Sequence, residues 1–285
     1  MRKLDMRTPD TGNYYSATRK DLLDLVPEII SRALDVGCGK GFSGLALREK
    51  TGCWVTGIEI IESVAEEAKG KLNSVLVGSA DQMIELLDSE SFDLLILGDV
   101  LEHMIDPEEF LVRVKRLIIP GGCVIISIPN VSHWSVVRML AQGQWNLDPS
   151  GVMDRTHLRW FTLKSITQLL DTTGYQIEAF KAMMKAGPGM PRPLLQVCRS
   201  LNMDMDNMEV ESICYQHMFK CHAVQGSSVC NDLPKVLIES IKTEAYTLQR
   251  QWDLKDGKLK YVWRNYVPFI VKNLMNTVFR GFRTS

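Results

Sequence analysis

Two sets of residues could carry chemistry in this chain: alternate glycines framed by acids, and histidines set among charged groups. Gly37, Gly39 and Gly41 follow directly on the apolar run Leu34-Asp35-Val36. A strand feeding a glycine turn and then a helix brings backbone N–H groups and a helix N-terminus to a ligand. Side chains in that turn would keep the ligand away from the backbone. Asp35 before the glycines and Glu59 at the end of the next apolar run suit a ligand rich in hydroxyl and ammonium groups. An acid at the end of a second strand can accept both hydroxyls of a ribose. The turn is not a dinucleotide fingerprint, because Phe42 stands where the third glycine of G-x-G-x-x-G belongs. That argues against a nicotinamide enzyme. No Lys-Ser/Thr pair follows the glycines, so a phosphate-gripping loop is also disfavoured.

The elements that must position these residues read as an alternation of strands and helices. Apolar runs at 53–59, 74–78, 91–98 and 123–128 read as strands two to five, after the first strand ending near Asp35. The run at 91–98 is apolar almost throughout, as expected for a central parallel strand covered on both faces. Helices are expected at 43–50, 62–72 and 110–117, the last capped by Asp106 with Pro107 in its first turn. Another is expected at 163–173, with Thr162 as its N-cap, and an amphipathic one carrying Leu22, Leu23, Leu25, Val26, Ile29 and Ile30. Such a pattern makes a doubly wound α/β sheet. Ligands in such sheets sit beyond the carboxyl ends of the strands. That rule gathers 35–41, Glu59, 79–81, 98–103 and 129–133 into one cleft.

The glycine turn Leu34 to Gly44 resembles the first motif of class I S-adenosylmethionine-dependent methyltransferases. Asp99-Val100-Leu101-Glu102-His103 resembles the motif after the fourth strand in small-molecule members, and Pro129-Asn130 to His133 with Asp154 to Phe161 resembles a subgroup of them. The likeness spans residues 13–224. It implies a seven-stranded, mainly parallel sheet whose seventh strand, 213–224, tucks in between the fifth and the sixth, 174–180. It implies S-adenosyl-L-methionine as cofactor. The cofactor site would comprise Tyr15, Arg19, Asp35, Gly37, Gly39, Gly41, Glu59, Ser79, Ala80, Asp81, Gly98, Asp99, Val100 and His103. Tyr15 and Arg19 would cover the cofactor, with Arg19 gripping a carboxylate. Residues 131–160 read as a cap over the acceptor half of the cleft, where Asn130, His133, Arg138, Arg155, His157 and Arg159 are the acceptor-binding candidates.

Methyl transfer to a hydroxyl needs alignment and a base with a pKa near working pH. His157 and His133 are the candidate bases, and Asp154 is the candidate orienting partner. The subgroup is associated with sugar and polysaccharide biosynthesis, so O-methylation of a sugar or glycan precursor is expected. N- or C-methylation of a natural-product scaffold, and a cofactor-binding subunit without turnover, stay open as alternatives.

A length of 285 residues, 45% hydrophobic and 24% charged, is ordinary for a globular protein with one large domain and an appendage. A net charge of −1 gives no reason to expect nucleic acid as a partner; the expected partner is a small-molecule acceptor. Seven scattered cysteines and an N-terminus without an apolar core point to a reduced, cytoplasmic setting. Cys214, Cys221 and Cys230 with His217 and His222 match no usual zinc spacing, and no metal site is expected. Residues 225–285 read as a separate helical extension. Within 255–285, seven Lys/Arg stand against one Asp. Residues 261–282 would place a basic amphipathic helix on an anionic membrane surface, on the domain itself, or on a second copy in a homodimer.

Overall fold

The structure, a computed structural model, describes residues 18–184, 192–202 and 211–224. Tyr15 and the expected extension at 225–285 lie outside them. Seven strands form one sheet: β1 (Arg32–Val36), β2 (Trp54–Glu59), β3 (Ser74–Val77), β4 (Phe92–Gly98), β5 (Ile118–Pro129), β6 (Tyr175–Met184) and β7 (Cys214–Ala223). Their order is β3-β2-β1-β4-β5-β7-β6. The first five pair in parallel, and β7 runs antiparallel to both β5 and β6. The expected insertion of the seventh strand between the fifth and sixth is therefore present.

Both sheet faces are covered, which explains the near-continuous apolar character of the central strands. On β4, Leu95 and Leu97 join one core with Phe110, Leu111 and Val114 of α5 (Pro107–Val114) and Leu163, Ile166 and Leu170 of α7 (Leu163–Thr172). Leu94 and Ile96 point the other way, into a second core. That core takes Leu22 and Leu23 of α1 (Lys20–Leu23), Leu47 of α2 (Phe42–Thr51) and Ala68 of α3 (Glu62–Lys69). Helix α4 (Ala80–Met83) follows β3, α6 (Trp134–Ala141) follows β5, and α8 (Arg192–Ser200) lies between β6 and β7.

Helix ends follow local chemistry. Asp106 caps α5 by accepting from Glu109 N at 2.9 Å, with Pro107 in the first turn. Thr162 and Ser165 form a reciprocal capping box on α7. Two expectations need correcting. The amphipathic stretch at 20–30 is helical only over Lys20–Leu23, ahead of Pro27; Val26 and Ile30 are still buried, but Ile29 is 91% exposed. Strand β5 starts at Ile118, before the expected turn at Pro120–Gly122, and the pairing with β4 slips between Phe92 and Leu94 to accommodate those residues.

Candidate active site

The sheet order reverses between β1 and β4, and the cleft lies beyond their carboxyl ends. The turn after β1 is anchored to β2, since Gly37 N and Cys38 N both donate to the Ile58 carbonyl, at 2.8 and 3.0 Å. Gly37 has φ +69°, and a Cβ there would sit 3.0 Å from Val100 Cγ2. The glycine turn and the exit of β4 are thus in direct contact, and a side chain would push them apart. Glu59 closes the floor: Oε2 accepts from Gly39 N at 3.0 Å and Oε1 from Ile61 N at 2.9 Å. Each oxygen keeps a second lone pair for another donor.

Asp35 is buried, and its Oδ2 has no hydrogen-bond partner among the described residues. Burial, with the Glu59 charge second, pushes its carboxyl up to about 7. A buried carboxylate oxygen without a partner among the described residues, beside a glycine-rich turn, is complementary to hydroxyl and ammonium donors. The residues present therefore fit S-adenosylmethionine, with Asp35, Glu59 and the glycine turn as the groups that would hold it.

The far wall is the exit of β4. Asp99 adopts φ +58°, a conformation that Asp tolerates better than most residues. Ser127 Oγ of β5 donates to Asp99 Oδ1 at 2.8 Å, and Gln216 Nε2 of β7 donates to the same oxygen. Arg19 pairs with Asp99 Oδ2 and with Asp21 at 2.8 Å, and donates to Gln216 Oε1 at 3.1 Å. Burial opposes the Arg19 charge, but Asp99 and Asp21 outweigh it and hold the guanidinium above its ordinary pKa. Arg19 lies beside the exit of β4, where its carboxylate partners belong to the chain itself. Ser127 and Gln216 were absent from the expected set, because nothing local marks residues that strand pairing alone delivers.

On the β3 side, Ser79 and Ala80 lie at the carboxyl end of the strand. Asp81 does not turn to the cleft: its exposed carboxylate faces Arg113 of α5 at 3.5 Å, in a surface network with Glu85.

The side of the cleft where the acceptor is expected is built from the exit of β4 and the loop 152–159. His157 is buried, and its Nδ1 lies 3.1 Å from the Val152 carbonyl. A carbonyl only accepts, so Nδ1 carries the proton and Nε2 keeps a lone pair. His103 repeats the arrangement, with Nδ1 3.2 Å from the Thr156 carbonyl. The two rings stand edge to face, 4.8 Å apart. Burial, then His103, holds the His157 pKa below its usual value, so it is neutral at pH 7.

Three acceptor-side expectations change. Asp154 does not orient His157, because its Oδ1 accepts from Thr156 N at 2.8 Å and Thr156 Oγ1 at 2.7 Å. The Val152 carbonyl takes that role. Asn130 is fully buried and binds backbone, donating to the Glu211 and Cys214 carbonyls at 2.8 and 2.9 Å and accepting from Ser132 N. It ties β5 to β7 instead of facing an acceptor. His133 is buried as the N-cap of α6, with Nδ1 2.7 Å from Ser135 Oγ and its ring against Trp134 and Tyr215. Arg138 and Arg155 are exposed, and Arg159 donates to the Leu158 and Ile105 carbonyls.

A family model described as a methyltransferase domain matches residues 12–179, more than half of the chain. The chain belongs to that family, and it is an S-adenosylmethionine-dependent methyltransferase. A ubiquinone biosynthesis O-methyltransferase of Coxiella burnetii is 31% identical over 162 residues, covering 52% of this chain and 68% of that protein. A protein of the same name from Maricaulis maris is 32% identical over 120 residues, 40% of this chain and 46% of that one. Among solved structures, the methyltransferase bound to the Trm112 activator of Haloferax volcanii matches with TM-score 0.53 and 17% identity, over 78% of this chain and 95% of that one. That likeness speaks to the fold. No described helix is long and apolar enough to cross a membrane.

Proposed function

We propose that the protein methylates a hydroxyl oxygen of a small polar acceptor, with residues 1–224 as the catalytic unit and 131–160 as the cap over the acceptor. When bound, S-adenosylmethionine supplies a methyl on a sulfonium, whose C–S bond breaks as the acceptor's O–C bond forms. The chain's own task is to align the acceptor and to help its hydroxyl lose a proton. The observation that carries the reading is His157. It is buried and neutral, with Nδ1 fixed on a carbonyl and Nε2 left as the acceptor. The relatives named as O-methyltransferases support oxygen as the methylated atom. A sugar or glycan precursor is the acceptor class implied by the likeness of 129–161 to its subgroup, and the relatives' names do not address it.

The test is an acceptor screen with methyl-labelled S-adenosylmethionine on wild type and His157→Gln. Hydroxylated acceptors should be methylated, with kcat lowered by about 10²–10⁴ in the variant and cofactor affinity unchanged. Turnover on amines alone, or full O-methylation by His157→Gln, would sink the reading.

A further inference from the structure

Beside the cofactor cradle, Glu102, His103 and His157 converge, although Glu102 had no expected role and no metal site was expected. One ligand-capable atom from each lies within 4.8 Å of the others. We propose that these three side chains bind one divalent transition-metal cation, whose open coordination positions receive the acceptor hydroxyl. The cation site stands on its own geometry; the hydroxyl as its ligand rests on the O-methylation reading above.

Three independent features support the site. First, Glu102 is 1% exposed, and neither carboxylate oxygen has a hydrogen-bond partner among the described residues. Burying an unpartnered carboxylate is costly, and a cation between it and the imidazoles removes that cost. Second, both histidines are prepared as ligands. Each directs Nδ1 to a backbone carbonyl, Thr156 for His103 and Val152 for His157, leaving an Nε2 lone pair free. Metal-bound histidines are held in this way, with the second ring nitrogen donating to a carbonyl or carboxylate.

Third, the scaffold joining the three ligands is fixed by backbone. The Glu102 carbonyl accepts from Leu158 N at 2.7 Å and Arg159 N at 3.0 Å, bolting the cap loop to the exit of β4. Asp154 orders Thr156 through its N–H and hydroxyl, and the Thr156 carbonyl is the one that holds His103. The buried Asp154 thereby acts as a positioning residue for a ligand.

The donor set selects the class of ion. Two imidazoles and one carboxylate suit zinc, cobalt or manganese, whereas magnesium and calcium prefer oxygen ligands. Three protein ligands leave at least one position open, and half-buried His103 marks the accessible side. A cation there lowers the pKa of a hydroxyl that ligates it, and the released proton passes to solvent. In that state His157 is a ligand and not the proton acceptor.

The test is titration of Co²⁺ into chelator-stripped full-length protein, followed by visible absorption, with Zn²⁺ as competitor. One saturable Co²⁺ per chain, displaced by Zn²⁺, is expected. Glu102→Gln and His103→Gln should each weaken binding about tenfold or more, while thermal melts of the same samples report an intact fold. Because the chain has five histidines, the imidazole resonances of the wild type give a check that needs no variant. Co²⁺ should perturb those of His103 and His157 most strongly, and that of His222, which pairs with Cys123 at the far end of the β5–β7 pairing, least. No saturable binding, binding unchanged in both variants, or strongest perturbation at other histidines would overturn the proposal. Absent Co²⁺ binding with intact O-methylation would leave direct proton transfer to His157 standing.

Discussion

At the scale of single residues, the site is defined by polar groups in unusual settings. Asp35 is the clearest case, a buried acid with an unpartnered oxygen at the ligand cradle. Its folded-state pKa of about 7 lies above the ordinary carboxylate value. The folded chain therefore binds more protons than the unfolded one between roughly pH 4 and 7, and this contribution to stability falls as pH rises through that window. Asp35→Asn should raise the stability of the ligand-free protein at pH 8 by about 1–3 kcal/mol, with a much smaller gain at pH 5. It should also weaken S-adenosylmethionine binding. Thermal melts with and without the cofactor at both pH values decide this; a variant less stable than wild type at pH 8 would contradict the account. Glu59 differs, because both its oxygens already order backbone around the cradle.

At the scale of elements, short-range chemistry starts and stops the helices, and long-range pairing makes the walls of the cleft. The capping box at Thr162 and Ser165 launches α7, whose Leu163, Ile166 and Leu170 pack on the sheet. Thr162→Ala removes one partner of the box and should cost about 1 kcal/mol, lowering the urea midpoint with no change in cofactor affinity. An unchanged midpoint would mean that packing alone holds the start of α7. The walls behave differently. Ser127 meets Asp99 through the pairing of β5 with β4, and Gln216 on β7 meets it only because β7 inserts beside β5. That register pairs Ser127 with Met218 and Pro129 with Gln216.

At the scale of the whole molecule, two apolar layers sandwich the sheet, and His217 is among the titratable groups shut inside. His217 is fully buried beside Phe180 and Phe219, and neither ring nitrogen has a hydrogen-bond partner among the described residues. Burial alone lowers its pKa from 6.5 to about 3. The unfolded chain takes up a proton on His217 below about pH 6.5, while the folded chain refuses it until near pH 3. Stability is therefore lost as pH falls through this window, by at most about 1.4 kcal/mol per pH unit from this residue. His217→Leu should flatten the fall in unfolding free energy between pH 6 and 4. The readout is the slope across a urea-denaturation series, and equal slopes for the two proteins would exclude His217 as a source of acid sensitivity.

Legibility in the sequence followed the range of the interactions. The glycine turn, the strand ending in Glu59, the β4 exit and the cap on α7 are each written within a dozen residues, because backbone conformation and apolar period are local properties. These determined the α/β architecture and pointed to one side of the cleft for the cofactor. The family resemblance added the place of the seventh strand, which periodicity alone leaves open. Tertiary structure decided what depends on partners far along the chain. It showed Asn130 and His133 serving backbone and helix cap, Asp81 facing Arg113, and Asp154 ordering Thr156. It also brought Glu102 and His103 to His157, across a separation of more than fifty residues. A polar residue's type announces only that it needs a partner; which partner it meets depends on how separate elements pack.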